Sequence, residues 1–188
     1  MNRIKSLVAS LVVIAFIGGC STTPRNTAED HREAILQMHD NTLAEFYQLK
    51  DSARAEIEAA PGYAIFNSAG IKLLLVSGGG GRGVVVDNRN GTNTYMNMAE
   101  LGAGLGLGIN DVRVVFIFHN AAALDDFLTN GVTIGASATA SAKIDDRGDA
   151  GSGEVVLNDI SMYQITDNGL ALELMVTGTR YWPDSRLN

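Results

Sequence analysis

Two glycine-rich runs limit what the middle of this chain can form. The first is GGGGRG at residues 78–83, and the second is LGAGLGLG at residues 101–108. The first run matches the G-x-G-x-x-G spacing of dinucleotide-binding turns, which must lead into a helix. Here the β-branched Val84–Val86 follows instead, and Asn90-Gly91 turns the chain soon after. The run therefore predicts a bent or closely packed strand and argues against a nucleotide site.

The second run alternates glycine with apolar residues. At the period of a β-strand, its glycines fall on one face and its apolar residues on the other. Such a glycine face can curve sharply, pack against the protein's own side chains, or accept a lipid or another hydrophobic ligand. The residues alone leave these interpretations open. The glycines are Gly102, Gly104, Gly106 and Gly108.

The N-terminus predicts a bacterial lipoprotein. Basic residues precede an apolar run over residues 7–17, which has the length of a signal peptide core and is too short to span a bilayer. Ile17-Gly18-Gly19-Cys20 follows and resembles a lipobox. We therefore expect a signal peptide at residues 1–19, acylation of Cys20, and a lipidated tether over residues 20–27.

The expected location is the cell envelope. Acylation of Cys20 would hold the chain at a membrane surface, since each buried acyl CH₂ contributes about 0.8 kcal/mol. Ser21 follows the cysteine. By resemblance to lipoprotein sorting in Gram-negative bacteria, this favours the outer membrane, with the domain facing the periplasm. Cys20 is the one cysteine of the chain, so stability must come from the core and not from disulfides.

Charge and composition argue against several functions. The chain has 14 Lys and Arg against 21 Asp and Glu, a balance that argues against nucleic acid as a partner. His31 and His39 lie about two helical turns apart, too far to share a metal ion, and we expect both to be solvated. No nucleophile elbow of the G-x-S-x-G type occurs. We expect no metal site, no cofactor and no catalytic residue, and therefore not an enzyme.

The hydrophobic period changes once along the chain. Residues 28–60 show helical spacing, with Thr27 suited to cap the first helix and Pro61-Gly62 placed to end the second. Residues 61–188 contain β-rich runs separated by turns. Helices followed by strands predict an α+β fold in which N-terminal amphipathic helices pack on a mostly antiparallel, glycine-rich sheet. The first β-rich runs are expected as separate short strands at residues 63–66, 71–76 and 83–87.

The order of motifs resembles that of the SYLF family, which carries a lipid-binding domain. Two helices are followed by PGYAIFNSAGIK, GGGGRGVVVDN, LGAGLGLGINDVRVVFIF, ALDDFLTNGVTIGASATASA and MYQITDNGLALELMVTGTRYW. The resemblance extends over about residues 43–184. It implies one α+β domain over residues 28–188 with a strongly curved sheet. It also implies lipid binding without catalysis.

One feature departs from the eukaryotic members of that family. Resemblance to those members implies phosphoinositide contacts through a basic amphipathic segment near the start of the domain. It also implies connections to actin regulators. Here residues 28–60 carry eight acidic residues against three Arg and Lys. The family's headgroup contact is therefore not expected through this helix, and actin is not an expected partner of an exported lipoprotein.

A basic lipid-binding site is instead expected elsewhere in the chain. Scattered cations could converge on one face and contact an anionic headgroup despite the net negative charge. Trp182 is expected either to cover the core or to anchor at a membrane interface. The candidate cations are Lys72, Arg82, Arg113, Lys143 and Arg180.

These patterns predict an envelope lipoprotein whose SYLF-like domain binds phospholipid or another amphiphile. The alternative is a structural or interaction module that binds another envelope protein through a sheet edge or through the acidic helix.

Overall fold

The computed structural model describes residues 27–135, 154–157, 159–166, 169–171 and 177–188. Residues 71–76 and 103–110 are described by their backbone pairing. The chain begins there with two helices, α1 (Ala28–Leu49) and α2 (Ala53–Ala59). Thr27 caps α1 as expected, because its hydroxyl accepts the N–H of Asp30 while the Asp30 carboxylate accepts the Thr27 N–H at 2.7 Å.

The sheet confirms the predicted α+β class. All its described strand pairs are antiparallel, in the order β3-β7-β2-β5-β4, with β1 paired to β2 and β6 paired to β5. The elements after α2 are β1 (Gly62–Asp87), β2 (Thr92–Phe118), α3 (Ala121–Asn130), β3 (Val132–Ile134), β4 (Glu154–Leu157), β5 (Ile160–Thr166), β6 (Gly169–Ala171) and β7 (Thr177–Pro183).

The prediction of separate short strands at residues 63–66, 71–76 and 83–87 was wrong. All three lie in the single strand β1, which pairs with β2 from Gly62 opposite Phe118 to Asp87 opposite Thr92. The glycine runs continue the ladder, because glycine keeps its backbone N–H and C=O groups available for pairing. One register shift, between Leu74 and Val76, interrupts the pairing.

The long β1–β2 ribbon folds back on itself, which gives the sheet its strong curl. The second half of β1 crosses the first half at distances that only glycine permits. A Cβ added at Gly81 would overlap the carbonyl oxygen of Asn67, and one at Gly79 would lie 2.9 Å from the Cα of Gly70. The first glycine run therefore serves close backbone approach, as the sequence predicted, and β1 continues past it to Asp87 without the helix that a dinucleotide turn requires.

The face of the sheet that carries α3, here the inner face, holds the main core. Phe127 of α3 meets Phe118 at a ring-centroid distance of 5.1 Å, and Tyr181 meets Phe66 at 4.7 Å. These edge-on contacts are a favourable geometry for aromatic pairs. The buried members of this core are Ala64, Phe66, Val85, Met96, Met98, Val112, Val114, Phe116, Phe118, Leu124, Phe127 and Tyr181.

Helix α1 lies on the opposite face, here the outer face, and spans both halves of the ribbon. Near its C-terminal end Phe46 packs against Tyr163 with ring centroids 5.0 Å apart, and near its start Ile35 joins the cluster of Val84 and Tyr95. The C-terminal turn is fastened to the same region. Asn188 pairs through its side chain with the backbone N–H and C=O of Tyr95, at 2.8 and 2.9 Å.

Candidate functional site

Beyond the start of α1, the outer face continues as a stretch of sheet with few side chains. Directly opposed residues of an antiparallel pair point to the same side of the sheet, so the strand register identifies which residues lie on this face. Leu101 lies between Gly78 and Gly178, and Ala99 lies between Gly80 and Arg180. We call this surface the bare face, and its members are Gly78, Gly80, Ala99, Leu101, Thr133, Gly178 and Arg180.

Leu101 is the distinctive residue of the bare face. Its side chain is 73% exposed, and a Cβ added at Gly78 would meet its Cδ2 at van der Waals distance. Among the described residues, the other large hydrophobic residue with substantial exposure is Leu49 of α1, at 39%. An exposed Leu is unremarkable alone, but the other members of this surface are glycine, Ala99, Thr133 and Arg180, so Leu101 is its one large apolar residue among those described.

The bare face adjoins the place where the ribbon bends. There β1 has the sequence IKLLLV at residues 71–76, which is apolar apart from Lys72. This segment pairs with the second glycine run. Lys72 lies opposite Gly108 and Leu74 opposite Gly106. Gly102 pairs with Ser77 on one side and Thr177 on the other. The bend therefore combines apolar residue types in β1 with the alternating glycines of β2.

The candidate cations do not all gather on this surface. Arg180 is exposed on the bare face, and Arg82 follows it on the outer face at the edge nearest α1. Arg113 lies on the other half of the ribbon, where it forms an ion pair with Glu45 of α1. Lys72 is placed at the bend by its backbone pairing, and Lys143 lies outside the described residues.

A cleft of about 260 Å³ opens beside Arg82, between the start of α1 and the C-terminal turn. Its lining residues are Ala28, His31, Arg82, Asp184, Arg186 and Leu187. Arg82 donates from Nη1 to Nδ1 of His31 over 2.9 Å. Since a guanidinium can only donate, that imidazole nitrogen must be unprotonated. The half-buried Arg82 guanidinium is thus paired with a ring nitrogen. Among the described residues, no carboxylate forms an ion pair with it.

The acidic member of the cleft is already occupied. Asp184 is 2% exposed and accepts the backbone N–H of Arg186 at 3.0 Å. Burial alone would raise the pKa of this carboxyl, but hydrogen bonds from the Arg186 backbone and guanidinium and from Asn97 outweigh burial and lower it. Asp184 is therefore ionised at neutral pH and offsets Arg186, which leaves the charge of Arg82 as the net charge of the lining.

The inner face carries polar groups that the sequence did not single out. The Glu100 carboxylate lies over Gly70 and Gly79, and a Cβ on either glycine would come within 2.7 Å of its Oε1. Burial, and then the neighbouring Glu100, raise the pKa of Tyr181. Ser68 Oγ and Gln164 Nε2 are buried, and neither has a hydrogen-bond partner among the described residues. Their burial depends on tertiary folding, so no local sequence signal could have identified them.

A second surface feature is an acidic groove along α1. It has a volume of about 580 Å³ and runs between the helix and Tyr95. Three carboxylates line it, with Arg32 as its single cation. That arginine is also bonded to Glu29 at 3.0 Å and to the Leu187 carbonyl at 2.8 Å. The lining residues are Glu29, Arg32, Glu33, Leu36, Gln37, Asp40, Asn41 and Tyr95.

The expectation that His39 is solvated was wrong. His39 is 8% exposed, with Nε2 2.9 Å from the Tyr63 hydroxyl and Nδ1 2.9 Å from Asp40. Burial raises the pKa of Tyr63 to about 12, so this hydroxyl remains protonated at neutral pH. The helical period placed His39 on α1 but could not show that Tyr63 of β1 packs over it. Within the described ranges, no cluster of His, Cys, Asp or Glu could hold a metal ion.

The predicted lipidation site, Cys20, lies outside the described residues. In the part of the chain that is described, no helix is long and apolar enough to cross a membrane.

Comparison with known proteins gives one informative similarity. Over 166 residues the chain is 32% identical to a protein of Aeromonas veronii named Beta cell expansion factor A. The aligned region covers 86% of this chain and 60% of that protein, so the chain spans about three fifths of the relative's length. No family model matches the chain.

Proposed function

We propose that this chain is an envelope lipoprotein, anchored at Cys20, whose folded part binds phospholipid or another amphiphile through the bare face. The observation that carries the proposal is the 73% exposure of Leu101 on a surface of glycine and alanine beside Arg180. The proposal includes a SYLF-like, non-catalytic domain located at the outer membrane and facing the periplasm.

The physical case starts from the shape of the bare face. Gly78, Gly80 and Gly178 leave backbone exposed, so an acyl chain can approach more closely than a normal strand allows. Transfer of a Leu side chain from water to a lipid contributes about 2 kcal/mol. Arg180 belongs to the next pair on the same face after Leu101 and Gly178. It can contact the headgroup region while its methylene stem follows the apolar surface.

The expected tether makes such contact easy to reach. Residues 20–27 extended to their limit span roughly 25 Å, so acylation at Cys20 would keep the domain close to the bilayer. Within that distance even a weak surface contact is populated, because the anchor supplies a high effective concentration. Specificity then depends on the folded part, and not on the anchor.

The test is native mass spectrometry of the full chain extracted in mild detergent, comparing co-purified phospholipid among variants. Leu101→Asp should reduce lipid occupancy about tenfold, because it removes the apolar contact and adds a charge that disfavours lipid. Leu49→Asp is the matched control, since it places the same charge at the other exposed leucine. Equal occupancy in the two variants, or no bound lipid in the unmodified chain, would refute lipid binding by the bare face.

The acidic groove supports a second candidate function, an interaction module for another envelope protein. Its carboxylates Glu29, Glu33 and Asp40 would attract a basic segment, while Leu36 and Tyr95 supply apolar contacts. Glu33→Lys should then abolish co-purification of a stoichiometric partner and leave lipid occupancy unchanged. Capture of the same partner by the Glu33→Lys variant would argue against this candidate.

A further inference from the structure

We propose that the cleft formed by His31, Arg82 and Arg186 binds a phosphate group. The nature of the lining supports this ligand more than a carboxylate. Two guanidinium groups and an imidazole approach the same small space from three different segments, α1, β1 and the C-terminal turn. A phosphate presents oxygens in several directions and can use all three, whereas a carboxylate is satisfied by one arginine fork.

Arg82 is the central residue of this site. Its half-buried guanidinium contacts His31, so an incoming anion would supply the countercharge that no ion pair among the described residues supplies. With Nδ1 of His31 accepting from Arg82, the neutral imidazole carries its proton on Nε2 and has a further donor to offer. Arg186 is 73% exposed, and its contact with Asp184, at 3.4 Å, leaves further N–H donors of its guanidinium for a ligand.

The start of α1 adds to the same preference. Ala28, the first residue of a 22-residue helix, lines the cleft, and the N-terminal end of a helix favours negative charge. Glu29 and Asp30 already occupy the first turn, but each is engaged elsewhere, Glu29 with Arg32 and Asp30 with Thr27. The N-terminal end of α1 therefore assists a site that is defined by the side chains of His31, Arg82 and Arg186.

The cleft is continuous with the bare face. Arg82, Gly80 and Gly78 follow one another on the outer face of β1, so Arg82 lies about 13 Å from the pair of Gly78 and Leu101. That separation fits within a phospholipid whose acyl chains contact Leu101 and whose phosphate reaches Arg82. The assignment of the phosphate to a lipid rests on the proposed function. The phosphate site itself does not, because free phosphate carries the same chemistry.

The experiment titrates inorganic phosphate into the full chain in detergent and follows the fluorescence of Trp182, the single tryptophan. Trp182 reports on the site because it and Arg82 lie opposite the same residue, Asn97, on its two sides. Arg82→Gln should weaken phosphate binding at least tenfold, because it removes the principal charge-assisted bonds. Arg54→Gln is the matched control: it removes the same charge at an arginine held 4.2 Å over the Tyr47 ring, away from the cleft. Arg186→Gln, a change at an exposed side chain that leaves Asp184 its bonds from the Arg186 backbone and from Asn97, should weaken binding about threefold.

A parallel arm measures lipid occupancy of the same variants by native mass spectrometry. Loss of both phosphate and phospholipid in Arg82→Gln supports a headgroup site. Loss of phosphate alone supports a site for free phosphate, and the Leu101 test of lipid binding then stands independently. Phosphate affinity that is unchanged in both Arg82→Gln and Arg186→Gln, or weakened equally by Arg54→Gln, would overturn the proposal.

Discussion

The two sides of the first glycine run have opposite surroundings. Gly79 and Gly81 point at backbone of the first half of β1, and a Cβ there meets atoms at 2.9 Å or less. Gly78 and Gly80 alternate with them in sequence and point outward, where a Cβ would meet nothing closer than 3.5 Å. The inward glycines are required by the fold. The outward glycines are not, which leaves a ligand-binding role as a reason for them.

Within residues 78–83, glycines therefore have two roles: the inward ones permit close backbone approach, and the outward ones leave an open surface. Strand alternation separates them, because successive residues face opposite sides of a sheet. A substitution therefore tests one purpose without the other, provided that the face is known.

The largest expected effect is at Gly81. Gly81→Ala forces its Cβ onto the Asn67 carbonyl, which cannot withdraw without displacing the crossing of the two β1 halves. We expect a loss of about 3 kcal/mol in the free energy of unfolding, measured by urea denaturation and circular dichroism.

Gly80→Ala is the matched control for this substitution, with the same chemical change on the outward side. Its free energy of unfolding should change by less than about 1 kcal/mol, with a possible gain from the reduced entropy of the unfolded chain. Equal destabilisation at Gly80 and Gly81 would contradict the assignment of the two sides.

A smaller effect is expected at the end of the same strand. Asp87 is buried and accepts two bonds from the Arg89 guanidinium, at 2.9 and 2.8 Å; Arg89 also binds Asp125. The Arg89 hydrogen bond is the main cause that lowers the pKa of Asp87. Asp87→Asn should cost about 1.5 kcal/mol at pH 7.

The pH dependence follows from the direction of that shift. A carboxyl whose pKa is lowered by folding stabilises the fold above its unfolded pKa of about 3.9, and this contribution is lost as pH falls through the lower folded value. Urea unfolding between pH 6 and pH 3 should therefore show a smaller loss of stability in Asp87→Asn than in the parent chain, by part of the free energy given above, because the contribution is lost in full only below the folded pKa. Parallel curves would show that Asp87 does not carry this dependence.

Local signals predicted much of the fold. The Thr27 cap, the end of the second helix at Pro61-Gly62 and the Asn90-Gly91 turn were read correctly, because each depends on neighbouring residues alone. The continuity of β1 was missed because glycine lowers strand propensity, whereas a pairing partner on β2 decides whether the ladder continues.

The candidate site was predictable only in part. Alternation in the second glycine run left open whether its glycine face packs or binds a ligand, and it did not indicate that Gly78 and Gly80 of the first run lie on the outer face. Nor could the sequence show that Arg113 is paired with Glu45 while Arg82 opens onto a cleft, since both facts depend on where α1 crosses the sheet. Contacts between distant segments decide these points, and no spacing along the chain encodes them.

The central claim is that the bare face meets lipid, and depth-dependent quenching tests it most directly. Once mass spectrometry has verified acylation of Cys20, an introduced cysteine is the only free thiol, and it can carry an environment-sensitive fluorophore at Leu101→Cys or, as control, at Leu49→Cys. On vesicles containing brominated phosphatidylcholine, the label at position 101 should shift to the blue and be quenched severalfold more than the label at position 49. Equal quenching at both positions, or none at position 101, would contradict the account.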